Sequence, residues 1–108
     1  YARGQEYLPH YDFFTQEEEA GFAHELRTIG QRVSTLLVYL NEDYVGGETA
    51  FPKLDWRFKG KTGDALVFWN LSAQGEREMD SLHAGTPVVK GEKWLLSKWV
   101  RQNPVPLI

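Results

Sequence analysis

Two histidines and one aspartate are the residues of this chain whose types and spacing suit a metal ion: His10 and Asp12 near the start, then His83 far along, with Lys93 ten residues beyond it. Two neutral imidazoles and one carboxylate on one face of an octahedron are the ligand set of non-haem Fe(II) oxygenases, which leave three positions open for a cosubstrate and dioxygen. In an extended segment the side chains at i and i+2 point to the same side, so His10 and Asp12 can converge on one ion while Tyr11 points away. His83 then has to arrive from a second strand. Taken alone, a His-x-Asp pair is a weak signal, because two polar residues on a strand more often mark a solvated edge. His24 lies in an acidic stretch with no spaced partner and reads as a surface residue.

The elements that must position these residues have to come from a small chain. Its 108 residues, 42% hydrophobic and 14% aromatic, suffice for one core at the small end of domain sizes. With 12 Lys+Arg against 15 Asp+Glu, the net charge of -3 provides no cationic field of the kind that draws proteins to nucleic acid or acidic lipid. Neither nucleic acid nor membrane is therefore expected as a partner. No apolar run approaches the roughly 20 residues needed to span a bilayer, and the opening YARGQEYLPHYD lacks a signal peptide's apolar stretch. A soluble protein is expected, with the cytoplasm as the default compartment. The absence of cysteine excludes disulfides and thiolate-bound zinc. The chain begins without Met, within what reads as a strand-to-loop passage, and N-terminal residues are expected to precede it.

Strand signals alternate with glycine turns. Residues 33–40 (VSTLLVYL) are β-branched, aromatic and apolar almost throughout, as in a buried strand. Gly46 and Gly47 open GGETAFP, a short strand closed by Pro52, and Gly60 and Gly63 flank a turn into 64–69 (DALVFW), a second buried strand. Segments 82–89 (LHAGTPVV) and 93–101 (KWLLSKWVR) follow. Short strands at such intervals predict a sandwich or barrel of antiparallel sheets. The one helical candidate, 15–27, has a capping-box pair in Thr15 and Glu18, weakened by Gly21, and reads as a short helix or a partly helical surface loop, with a flap near the metal as the alternative. A core over 1–103 and a Pro-containing tail over 104–108 complete the expected organisation.

Read with their neighbours, the ligand candidates form longer patterns: Y-x-x-G-Q-x-Y-x-x-H-x-D from Tyr1 to Asp12, and S-L-H-A-G-T-P-V-x-x-G-x-K-W around His83 and Lys93. Together with YLN (39–41), GGET-FP (46–52) and G-D-A-L-x-F (63–68), they strongly resemble the prolyl 4-hydroxylase family of Fe(II)- and 2-oxoglutarate-dependent dioxygenases, from Tyr1 to about Arg101. The resemblance implies a mainly β fold, a double-stranded β-helix or jelly roll, with iron held by His10, Asp12 and His83. Lys93 matches the lysine that binds the distal carboxylate of 2-oxoglutarate. A lysine ammonium suits that task as a compact cation on a long stem, costly to bury unpaired. Tyr1, Tyr39 and Thr35 are further candidates for the cosubstrate pocket, and residues 35, 37 and 39 share one strand face. Tyr7, Arg32 and Trp99 match positions lining the substrate groove of plant-like and algal-like members, where aromatic side chains grip a proline-rich segment preorganised as polyproline II. Trp56 and Trp69 read as structural.

The implied reaction hydroxylates proline at C4 in a peptide or protein and decarboxylates 2-oxoglutarate to succinate and CO2, using O2, with ascorbate as an accessory reductant. The same chemistry on a free amino acid or other small molecule is the alternative. Outside the enzymes stand a cupin-like metal-binding jelly roll, which would favour an HxH pair with a downstream glutamate, and an interaction module, which has no need of the triad. Relatives that act on transcription-factor prolines or alkylated nucleic acid tend to carry Arg where Lys93 stands, which favours the collagen-like and plant-like branch. Thr86 stands where many members carry Cys. Because family domains normally include N-terminal elements that buttress the major sheet, these 108 residues alone are expected to be poorly stable, the outer face of VSTLLVYL lacking its cover.

Overall fold

The computed structural model describes residues 1–103, so the expected tail over 104–108 lies outside the described residues. Strand β1 is Tyr7–His10, followed by helices α1 (Gln16–Glu19) and α2 (Ala23–Thr28). The remaining strands are β2 (Arg32–Tyr39), β3 (Val45–Gly46), β4 (Thr49–Phe51), β5 (Trp56–Phe58), β6 (Ala65–Trp69), β7 (His83–Gly85), β8 (Val88–Lys90) and β9 (Leu95–Arg101). Two antiparallel sheets run in the orders β1-β7-β4-β5 and β6-β2-β9, and β3 pairs with β8. Among these pairs only β4 and β5 are consecutive in sequence, so the chain crosses back and forth between sheets in the winding of a double-stranded β-helix.

The sheets meet through the inward face of β2. Thr35, Leu37 and Tyr39 are buried on that face, as the period-2 rule requires of one strand side. Register places Phe68 and Trp99 beside Thr35, and Leu66 and Ser97 beside Leu37. From the opposite sheet, the Phe51 ring meets the Phe68 ring edge-on at 5.1 Å, and Thr49 meets the Tyr39 hydroxyl. Tyr39 is completely buried and needs space from the chain beside it: a Cβ at Gly60 would overlap its ring. Gly60→Ala is accordingly expected to destabilise by about 1–3 kcal/mol, the usual cost of overpacking, read as a lower denaturant midpoint at unchanged slope.

Three strand expectations need correction. Segment 64–69 is not buried on both sides: β6 alternates exposed and half-buried residues, with Val67 57% and Trp69 63% exposed. The outer side of β2 likewise leaves Leu36 and Val38 half-buried, and β9 adds Leu96 and Val100, both exposed, to the same surface. An apolar run reads the same whether one or both faces are covered, and here one is not. Segment 82–89 is two strands in different sheets, because the chain turns at Thr86 and Pro87. There Thr86 Oγ1 accepts the Glu48 N–H (2.7 Å) while its own N–H donates to the Glu48 carbonyl (2.8 Å).

The 15–27 stretch forms two short helices, α1 and α2, broken at Gly21. The Thr15–Glu18 capping box is present, and neither helix buries a residue. Phe22 lies between them and stacks on the buried Phe14 ring at 4.4 Å, pinning the segment to the body of the fold. His24 is exposed on α2, as expected. No helix among the described residues is long and apolar enough to cross a membrane.

Candidate metal centre

His10 ends β1 and His83 begins β7, and the antiparallel register sets the two directly opposite one another. Asp12 follows two residues after His10. The three offer one ligand atom each, all within 4.8 Å of one another. Asp12 Oδ1 stands 3.4 Å from His10 Nε2 and 3.5 Å from His83 Nε2.

The tautomers follow from the backbone. His10 Nδ1 lies 2.7 Å from the Leu8 carbonyl and His83 Nδ1 lies 2.8 Å from the Ser81 carbonyl, in both cases the residue two positions earlier. A carbonyl can only accept, so each Nδ1 carries a proton and each ring turns Nε2, the atom left for a ligand bond, toward Asp12 Oδ1. Two imidazole nitrogens and one carboxylate oxygen converging on one point are a donor set that fits a metal ion. The rings are held from the sides: Tyr7 lies against His10 at 3.9 Å between centroids, and Phe68 against His83 at 4.7 Å. Burial acts to raise the Asp12 pKa, but hydrogen bonds from both histidines and from Thr35, with the field of His83, hold it well below the usual carboxylate range. Burial also opposes protonation of His10, yet its bonds to Asp12 and Leu8 outweigh it and raise its pKa.

The triad opens into a cleft that Lys93, Thr49 and Tyr1 also line. Lys93 is 2% exposed, with no acidic partner among the described residues, and its ammonium lies 5.0 Å from the centre of the Tyr1 ring. Burial alone pulls its pKa down to about 8. Its position is fixed from both flanks, since Asn41 accepts the Trp94 N–H (2.8 Å) and donates to the Glu92 carbonyl (2.7 Å). Gly47 makes room for the stem: it sits at φ +62°, and a Cβ there would stand 3.2 Å from Lys93 Cδ.

A buried, unpaired ammonium predicts a pH dependence. Between about 8 and the ordinary 10.5 the unfolded chain holds a proton that the folded chain has released, so ligand-free stability rises with pH through that window. An anionic ligand needs the ammonium and so responds in the opposite sense. 2-Oxoglutarate affinity of the Mn(II)-loaded protein, measured by calorimetry, is expected to be level below about pH 8 and to fall about tenfold per unit above it. A flat profile to pH 9.5 would count against Lys93 as the carboxylate's partner.

The other sequence candidates are distributed around this cleft. Tyr1, Tyr7, Thr35 and Trp99 line it. Tyr39 does not, and its hydroxyl instead lies 2.6 Å from Thr49 Oγ1. Thr35 lines the cleft, but its hydroxyl bonds to Asp12 Oδ2 (2.7 Å) and Asn70 (2.9 Å). Arg32 is not among the lining residues: its guanidinium lies 3.7 Å over the Trp99 ring and 4.7 Å from the centre of the Phe14 ring, and donates to the Asp12 carbonyl (3.4 Å). Sequence reasoning missed Thr49, Asn41 and Asn70. The first two lie inside the quoted GGET-FP and YLN patterns, but no local spacing links Thr49 on β4 to Tyr39 on the facing sheet.

With this geometry in view, the comparisons are specific. Residues 1–101 match the family model described as the 2OG-Fe(II) oxygenase superfamily. The chain is 37% identical to probable prolyl 4-hydroxylase 10 of Arabidopsis thaliana, over 94% of this chain and 39% of that protein. It is 49% identical to a putative prolyl 4-hydroxylase of Acanthamoeba polyphaga mimivirus, over 68% of this chain and 31% of that one. The chain thus spans about two fifths of the length of the first of these curated relatives. Among solved structures, a viral collagen prolyl hydroxylase from Paramecium bursaria Chlorella virus-1, in its 2OG complex, superposes with a TM-score of 0.74 at 35% identity, covering 94% of this chain and 54% of that chain. A mainly β double-stranded helix, a His-Asp-His cluster backed by a buried lysine, and a family match over nearly the whole length agree with one another: this chain belongs to the 2OG-Fe(II) oxygenase superfamily.

Proposed function

We propose that this chain is the catalytic core of an Fe(II)- and 2-oxoglutarate-dependent dioxygenase that hydroxylates proline at C4 in a peptide or protein. The observation that carries the reading is one cleft lined both by the converging atoms of His10, Asp12 and His83 and by the buried ammonium of Lys93. Bound iron supplies dioxygen activation coupled to the decarboxylation of 2-oxoglutarate to succinate and CO2.

The protein's part is to bind, orient and exclude. Nε2 of His10, Nε2 of His83 and Oδ1 of Asp12 would hold the ion. Lys93 pairs with the distal carboxylate of 2-oxoglutarate, and that pairing relieves a desolvation penalty the free protein carries. Thr49, with its hydroxyl oriented by Tyr39, offers a hydrogen bond to the same carboxylate, and Tyr1 closes the wall beside it. Leu37 and Leu95 give the cleft an apolar side that keeps water from the reacting centre.

Tyr7 and Trp99 line the cleft while staying 51% and 41% exposed, so their rings border both the metal and solvent. Such a mouth suits an extended proline-rich chain laid across it better than a small enclosed molecule. Arg32 supports Trp99 through its guanidinium, 3.7 Å over the ring. The relatives' names support the same substrate class, since the matched solved structure is a collagen prolyl hydroxylase. The test is 2-oxoglutarate turnover with Fe(II) and ascorbate, with and without a proline-rich peptide. Expected is succinate formation stimulated by the peptide, with one oxygen added at C4 of a proline. Equal turnover without peptide, and an unmodified peptide, would sink the peptidyl-proline assignment.

A further inference from the structure

We infer that Thr35 and Asn70 are positioning residues that lock Asp12 as a one-oxygen metal ligand; the inference rests on reading the triad as the iron site. Asp12 presents Oδ1 to both histidine Nε2 atoms, while its other oxygen, Oδ2, accepts a hydrogen bond from the Thr35 hydroxyl at 2.7 Å. Asn70 Nδ2 in turn donates to Thr35 Oγ1 at 2.9 Å. Asn70 is fully enclosed and Thr35 is 1% exposed, so water does not compete for these bonds.

The direction of the relay is forced by the chemistry of its ends. An ionised carboxylate only accepts, so the single Thr35 proton must go to Asp12 Oδ2. The Thr35 oxygen is then an acceptor toward Asn70, which must present its NH2 and not its carbonyl. That choice leaves Asn70 Oδ1 buried without a partner among the described residues. A buried amide oxygen without a partner is unfavourable, and an amide serving only to fill space would be free to rotate and bond through either end. Its retention in this orientation fits a residue whose task is to fix where the Thr35 proton points.

The consequence lies in coordination number. A facial triad leaves three positions open only if its carboxylate uses one oxygen. With Oδ2 held by Thr35, the carboxylate cannot rotate to bring both oxygens onto the ion. The relay spans the fold, from Asp12 after β1 to Thr35 on β2 and Asn70 just beyond β6, so both sheets define the setting of one carboxylate.

The experiment compares Thr35→Val, Thr35→Ser and Asn70→Ala with the wild type in the full-length protein, reading Mn(II) affinity by calorimetry and the ligand-field absorption of the Co(II) form, with near-UV circular dichroism as the check of fold. Thr35→Val, nearly isosteric but without the hydroxyl, is expected to bind Mn(II) about 10–100-fold more weakly and to alter the Co(II) spectrum, in the range found for groups that orient metal ligands. Thr35→Ser, which keeps the hydroxyl, is expected to restore the wild-type spectrum and most of the affinity. Asn70→Ala is expected to shift both readouts in the same direction by a smaller factor. Wild-type affinity and spectrum in a folded Thr35→Val protein would overturn the inference, as would a Thr35→Ser protein as impaired as Thr35→Val. Should Thr35→Val lose its fold, the Thr35→Ser and Asn70→Ala readouts decide. If the wild type itself binds neither ion, it is the reading of the triad as a metal site that fails.

Discussion

Replacing Asp12 by alanine in the full-length protein is expected to abolish 2-oxoglutarate turnover, by about a thousandfold or more, because the ligands act as a unit and the remaining pair offers no anion. Asp12 is the one anionic member of the triad, and both imidazole Nε2 atoms already converge on its Oδ1. Removing it strands the Thr35 hydroxyl and leaves two neutral rings facing a void. Fe(II) or Mn(II) affinity should fall with turnover, and metal-dependent thermal stabilisation should disappear. His83→Ala is expected to behave alike, whereas His24→Ala, on the exposed side of α2, should leave both readouts at the wild-type level. Equilibrium dialysis with Mn(II) reads the loss of metal, the succinate assay the loss of turnover, and near-UV circular dichroism checks the fold. Undiminished turnover in either triad variant would remove the site.

The second large effect has opposite signs in two measurements. Lys93→Met removes the buried ammonium while keeping an unbranched chain of similar volume beside Gly47. In the ligand-free protein this relieves an unpaired charge, and the variant is expected to gain about 1 kcal/mol or more, with a higher Tm. In binding 2-oxoglutarate it leaves a carboxylate facing apolar atoms, and the dissociation constant should rise about a hundredfold or more, the cost of losing one partner of a buried charge pair. Turnover should be partly recoverable at high 2-oxoglutarate, in contrast with the metal-ligand variants. A lower Tm together with unchanged affinity would show that Lys93 is a structural residue.

The triad was legible because histidine is scarce in this chain, because the two-residue spacing states which side chains share a face, and because the surrounding motifs fix the order of the parts. Lys93 was legible for a similar reason, through its place in G-x-K-W. Thr49 escaped because its importance depends on the pairing of β4 with β7 and on Tyr39 crossing from the facing sheet, neither of which is local. Asn70 escaped because an asparagine at a strand end reads as a turn residue, and only the packed structure reveals it enclosed against Thr35. The strand positions came through well, their environments less so. Hydrophobicity along β6 and β2 says that these strands seek cover, but not from which element the cover comes. The split of 82–89 was signalled by Pro87, which cannot donate to a ladder in mid-strand.

The opposition of His10 and His83 across β1 and β7 bears on how the chain folds. An ion held by these two residues closes a loop of roughly seventy residues, a long contour whose closure is entropically costly in the unfolded chain. Such an ion acts as a reversible cross-link between the first and the seventh strand, and its binding free energy adds to folding stability as RT ln(1 + [M]/Kd). The neutral-imidazole requirement makes that clasp open in acid, where protons compete for both Nε2 atoms. Availability of the metal thus governs catalytic competence and, in the same event, how firmly the outermost strand of its sheet stays attached.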